Sequence, residues 1–95
     1  MAAKYEVMYI NKINSPFVNE MIRDIGGIKD GEYWKITQQQ AIKYIKNEIA
    51  EFYMFHNRKR MDLIVGKSKS GKYLKTISDG EMPDNLLRLP ECPPY

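Results

Sequence analysis

The apolar positions of this chain change period several times, and each change marks an element. Lys4 to Asn11 alternates, with Tyr5, Val7 and Tyr9 on one face and Met8 and Ile10 on the other, so a strand is predicted. Asn14-Ser15-Pro16 ends it, because proline fixes φ and removes a ladder donor. Phe17 to Ile25 fits two readings. It is β-compatible and can return antiparallel to the first strand, yet Val18, Met21, Ile22 and Ile25 also suit a short helix. The strand is preferred. Gly26-Gly27 and Asp30-Gly31 then punctuate the chain before Tyr33-Trp34-Lys35-Ile36.

From Thr37 the period becomes helical. Thr37-Gln38-Gln39-Gln40 has the form of a capping box, in which a threonine N-cap and a glutamine three residues on satisfy each other's orphan amides. Behind it Ala41, Ile42, Ile45 and Ile49 make an apolar stripe, while Lys43, Lys46, Asn47 and Glu48 face outward. Such a helix needs a sheet to lie on. Glu51 to His56 opposes Phe52 and Met54 to Tyr53 and Phe55, and Asn57 to Arg60 turns the chain. Met61 to Lys67 sets Met61, Leu63 and Val65 against Asp62 and Ile64; Ser68 to Gly71 turns again, and Lys72 to Ile77 closes a meander. The order is ββαβββ. The expected fold is α+β: one antiparallel sheet with one main amphipathic helix packed on it. A single domain is expected over 1–95, with the C-terminal tail 84–95 packed on the sheet.

Hydrophobic residues at 43% and charged ones at 28% are the balance of a folded domain, not a disordered one. A chain of 95 residues has room for a thin core but not for a deep enclosed active site. The lone Cys92 excludes an intrachain disulfide and suits a reducing compartment. With no apolar leader after Met-Ala-Ala-Lys and no long apolar run, no membrane contact is expected and a cytoplasmic location is.

Charge changes the picture more. Between Asn57 and Lys75 lie Arg58, Lys59, Arg60, Lys67, Lys69, Lys72 and Lys75 against Asp62 alone, although the whole chain nets only +3. The remainder is mildly acidic, so the cations sit on two turns. Arg58 and Arg60 offer planar forks for phosphate, the lysines offer point charges, and Tyr53, Phe55 and Trp34 offer stacking faces. Lysines on hairpin turns also serve to block edge-to-edge sheet pairing, which is the structural alternative.

The other candidates are thinner. Gly66-Lys67-Ser68 lacks the earlier glycine of a phosphate loop, where Met61 stands, and a strand follows instead of a helix. His56 and Cys92 are a conceivable catalytic pair, but no carboxylate is placed to orient His56. Asp79, Glu81, Asp84 and Glu91 read as turn and cap residues before a metal or acid–base cluster, with Asp84 or Asn85 as an Asx-turn or helix cap. Leu86, Leu87 and Leu89 are expected to pin the tail, or alternatively to form an interaction surface. Neither a catalytic set, a metal site nor a cofactor is expected.

Gly26-Gly27, Trp34-Lys35-Ile36-Thr37, Ala41-Ile42, Ile45, Tyr73-Leu74-Lys75-Thr76 and Asp84 to Cys92 occur in an order that resembles the small bacterial and phage family DUF3892, from about Phe17 onward. The Tyr-Leu-x-Thr and Asp-Asn-Leu-Leu-x-Leu-Pro-x-Cys blocks are its specific parts. The resemblance implies a fold and no catalytic residue. The expected function is a non-catalytic binding module for an anionic, nucleotide-type small molecule at Arg58, Lys59, Arg60, Lys67, Lys69 and Lys72, with Tyr53, Phe55 or Trp34 stacking. A phage-style role, sequestering a host signal or blocking a host defence protein, and a homo-oligomer with a shared pocket belong to that expectation. The alternatives are a single-stranded nucleic-acid binder through the same hairpins, and a protein–protein adaptor or enzyme inhibitor using the leucine-rich tail.

Overall fold

The first apolar run is divided between two sheets. In the computed structural model, which describes residues 2–80 and 82–93, it forms β1 (Ala3–Glu6) and β2 (Tyr9–Lys12). The chain crosses at Val7-Met8: the Val7 amide donates to Tyr53 O at 2.7 Å and the Met8 amide to Gly26 O at 2.8 Å. The remaining strands are β3 (Ile22–Lys29), β4 (Glu32–Thr37), β5 (Ala50–His56), β6 (Lys59–Ser68) and β7 (Gly71–Thr76). The helices are α1 (Gln38–Lys46) and a single turn, α2 (Asp84–Leu87). Sheet one has the order β1-β5-β6-β7 and sheet two the order β2-β3-β4.

The α+β class therefore holds, but the expected single antiparallel sheet does not. There are two sheets, and β1 runs parallel to β5. Parallel pairing follows from connectivity, since sheet two and α1 form the crossover between these strands. Phe17–Ile25 is also divided: Val18–Glu20 is a 3-10 turn, and the strand begins only at Ile22.

Gly26 and Gly27 do not break the chain; they lie in β3, the central strand of sheet two. A Cβ on Gly27 would sit 2.2 Å from Glu6 O, and one on Gly26 2.8 Å from Trp34 O. Glycine is there because backbone passes too close for any side chain.

α1 begins as its capping box dictates, with the Gln40 amide donating to Thr37 Oγ1 at 3.1 Å and the Thr37 amide to Gln40 Oε1 at 3.0 Å. Ala41 is fully buried, and Ile42 and Ile45 pack on the core. Ile49 leaves the expected stripe: Glu48 takes a left-handed φ of 58° after the helix, and Ile49 emerges 56% exposed. Gln38, read from sequence only as part of the cap, is buried. Its Nε2 donates to Ile22 O at 2.8 Å and to Asn19 O at 3.0 Å, and its Oε1 accepts from the Leu74 amide at 2.8 Å. One side chain thus ties the 3-10 turn, β3 and the free edge of β7 together.

The core gathers Val7, Ile10, Ile22, Ile25, Phe52, Met54, Leu63, Leu74 and Leu86, each worth roughly 2 kcal/mol of burial. Leu86 comes from the tail, which runs beside β2, where the Ile10 amide donates to Pro90 O at 2.9 Å. Leu87 and Leu89 pack against the same cluster. α2 has no side-chain cap from Asp84 or Asn85; its N-cap is Pro83. The organising group is Asp79, whose carboxylate accepts from the Thr76 amide, the Thr76 hydroxyl and the Asn85 amide at 2.9, 3.0 and 3.3 Å.

Candidate binding surface

The β5–β6 hairpin turns on Asn57 and Arg58, both at positive φ, 52° and 64°. His56 pairs directly with Lys59 across this two-residue turn, the type I′ geometry that matches strand twist. Asparagine suits the first position. Glycine is the usual residue at the second, and arginine stands there instead.

Residues opposite one another across an antiparallel ladder share a face, and Phe55 is opposite Arg60 while Tyr53 is opposite Asp62. The four form one outward patch. The Arg60 guanidinium lies 4.1 Å from the Tyr53 ring centroid, and the Phe55 ring stands edge-on to Tyr53 at 5.8 Å. Phe55 is 48% exposed, high for a phenylalanine. Arg60 Nε also reaches Asp62 Oδ1 at 3.3 Å. On the other face, Arg88 Nη1 lies 3.2 Å from His56 Nε2. The end of the hairpin thus collects Arg58, Lys59, Arg60 and Arg88. Arg88 was not singled out from sequence, because only the folded tail brings it to His56.

The second basic hairpin is elsewhere. β6 is a ten-residue strand, and the two turns lie at its opposite ends, roughly 30 Å apart at about 3.3 Å per residue. Lys67 and Lys72 are direct cross-strand partners on the face that carries Leu63 and Val65, the opposite face from Arg60. Lys69 is in the Lys69-Ser70 turn, closed by the Ser68 hydroxyl, which donates to Gly71 O at 2.8 Å. Gly66 lies within β6 against the Tyr73 ring, so no phosphate loop exists there. The nine residues singled out for binding are therefore not one site. Arg58, Arg60, Tyr53 and Phe55 come together, with Lys59 beside them at the hairpin end but opposite His56 on the other face; Lys67, Lys69 and Lys72 form a second group.

Trp34 belongs to neither. Its ring packs on Tyr5 and Phe52 at 5.4 and 5.8 Å, on the core side of β5. It lines an apolar cavity of about 320 Å³ with Tyr5, Ile36, Tyr44, Ile49 and Phe52, and its buried Nε1 has no partner among the described residues.

His56 and Cys92 occupy different surroundings. His56 has Asn57 and Arg88 beside it, whereas Cys92 Sγ lies by Gly26 and hydrogen-bonds with Tyr33. Burial pushes the Cys92 thiol above its ordinary pKa; the Tyr33 hydrogen bond opposes this and the Asp24 charge adds to it. Among the described residues no cluster of three or more His, Cys, Asp or Glu side chains is placed to hold a metal. Of the four tail carboxylates, Glu81 lies outside the described residues and Asp79 is occupied by backbone and hydroxyl donors. Among the described residues no helix is long and apolar enough to cross a membrane.

A family model described as "Protein of unknown function (DUF3892)" matches residues 7–90. No curated protein and no solved structure matches the chain.

Proposed function

This chain belongs to the DUF3892 family, whose function is unknown, so the reading rests on its own geometry, and we propose that it is a non-catalytic binding module for a phosphate-bearing ligand with a flat ring. The ligand is a nucleotide-type small molecule, held on the outer face of the β5–β6 hairpin. The observation that carries this reading is the Arg60 guanidinium stacked on Tyr53 beside the half-exposed Phe55, with Arg58 in the adjoining turn. A nucleobase stacks on Phe55, and the Arg58 and Arg60 forks take the phosphates, with Lys59 adding positive charge from the other side of the hairpin end. A protein that captures without converting lowers the free concentration of its ligand, so sequestration is the matching biological role. The face is flat, and the reading extends to two copies closing over one ligand.

One observation favours a second reading, single-stranded nucleic acid. Lys67, Lys69 and Lys72 lie at the far end of β6, with Lys67 and Lys72 on its other face, so that only a polymer running roughly 30 Å along the strand and around it reaches both groups.

Titration with AMP, ATP and a thymidine decamer at 50 and 200 mM salt separates the two. A mononucleotide site saturates at defined stoichiometry with modest salt dependence. A strand binder loses affinity steeply as salt rises, by about 0.7 in log–log slope per phosphate contact. In both cases Phe55→Ala weakens binding about tenfold or more, since base stacking contributes roughly 1–3 kcal/mol. If none of the three ligands binds, or Phe55→Ala binds as well as the parent, the proposal fails.

A further inference from the structure

Sheet one contains an open seam. β5 and β6 pair only from Tyr53–Asp62 to His56–Lys59; beyond that the first half of β5 stays paired with β1 on its other edge and the second half of β6 with β7 on its other edge, and the two halves part. Between the parted halves is a cavity of about 630 Å³ lined by Ile45, Ala50, Phe52, Leu63, Ile64 and Ile77. A second, of about 350 Å³, shares Ile45, Leu63 and Ile64 and continues to Val65, Lys67 and Lys72, bordered by Ile42 and Lys46 of α1. Together they follow one side of β6.

The register fixes which backbone groups face the seam. The Ile77 amide donates to Asp62 O at 2.9 Å, so Asp62 and every second residue after it direct their amides and carbonyls to β7. Leu63, Val65 and Lys67 direct theirs the other way. The outer edge of β7 follows the same alternation, and there the Leu74 and Thr76 amides are taken by Gln38 and Asp79. That edge is closed by side chains. The edge at Val65 and Lys67 is not: the β5 ladder stops short of it.

The seam also has a charge polarity. Glu48, Glu51 and Asp62 line one end, and Lys46, Lys67 and Lys72 the other. Lys67 and Lys72 face each other directly across the ladder, a like-charge pair that destabilises the empty sheet. Ile77 stands 67% exposed at the mouth.

We infer that the seam receives an extended segment of a partner protein, which adds a strand to β6 along Leu63 to Lys67. Main-chain bonds to Val65 and Lys67 hold it, and alternate apolar side chains fill the space under Ile42 and Ile45. Acidic side chains of the segment lie beside Lys67 and Lys72, and basic ones beside Glu51 and Asp62. The apolar lining and the acidic end argue against nucleic acid here. This inference is independent of the hairpin reading above.

The test uses the full chain, labelled with ¹⁵N, and a synthetic octapeptide of alternating valine and threonine with two glutamates at one end and two lysines at the other. The expected result is resonance shifts along Leu63 to Lys67 and at least tenfold slower amide exchange at Val65 and Lys67. Methylating every second peptide nitrogen, in both registers, should lower affinity tenfold or more in one of them. The double variant K67E/K72E, whose changes are on the surface, should bind the peptide about tenfold more weakly. Amides at Val65 and Lys67 that are already protected in the free protein overturn the inference, including by self-association. So does binding indifferent to N-methylation in both registers, or no shift at millimolar peptide.

Discussion

Replacing Arg58 with glycine should stabilise this protein while weakening its ligand. Arg58 is the second residue of a type I′ turn with φ at 64°, a region where an L side chain costs roughly 1–2 kcal/mol. Glycine removes that strain but returns about 0.5–1 kcal/mol through the greater freedom of the unfolded chain. No hydrogen bond or ion pair among the described residues holds the Arg58 side chain, which is exposed, so little is lost with it. The net gain is therefore about 0.5–1 kcal/mol, and for a domain of this size that raises Tm by roughly 2–8 °C. Relief of repulsion with Lys59 and Arg60 acts in the same direction. Arg58→Ala is the control, because it removes the charge and keeps the strain. Calorimetry and urea denaturation of the three proteins decide the matter. The reasoning is refuted if Arg58→Gly is no more stable than Arg58→Ala. The binding arm is separate: Arg58→Gly and Arg58→Ala should lose affinity for the nucleotide or oligonucleotide probe equally. A turn that accepts strain in order to present a cation is what a binding site predicts; equal affinity in parent and variants would leave the strain without that explanation.

Three further outcomes follow from the same structure. Gln38→Ala strands the Leu74 amide and the Ile22 carbonyl in the interior, and at roughly 1–3 kcal/mol for each buried group left unsatisfied it should cost about 3 kcal/mol, read as a lower urea midpoint. Gly27→Ala drives a Cβ to 2.2 Å from Glu6 O, a backbone atom with no freedom to yield, so a loss of several kcal/mol or failure to fold is expected by circular dichroism. Cys92 has a raised pKa through burial, so less thiolate exists at any given pH; its alkylation by iodoacetamide at pH 8 should be slower than that of a free thiol and should accelerate on unfolding in urea.

Period and turn chemistry alone determined much of this molecule. Thr37 and Gln40 announced the start of α1, and alternation located β5, β6 and β7 with both of their turns. These are local signals, set by side-chain spacing of two or 3.6 residues and by groups a few positions apart. They also put Tyr53 and Phe55 on one face and Arg58 on the turn, although Lys59 and Arg60, expected in that turn, open β6 instead because the turn needs only two residues. What local pattern does not encode is which strand pairs with which, and in what direction. Lys4 to Asn11 reads as one strand, yet the chain changes sheets at Val7-Met8, because the Val7 amide finds β5 and the Met8 amide finds β3. Gly26-Gly27 looks like a break until Glu6 and Trp34 are packed against it. The burial of Gln38, the approach of Arg88 to His56 and the separation of the two basic hairpins are likewise long-range outcomes. Charge near in sequence became charge roughly 30 Å apart because an extended strand lies between the turns. Sequence settles the elements through short-range stereochemistry, whereas their partners are settled by buried contacts and hydrogen bonds between residues far apart in the chain.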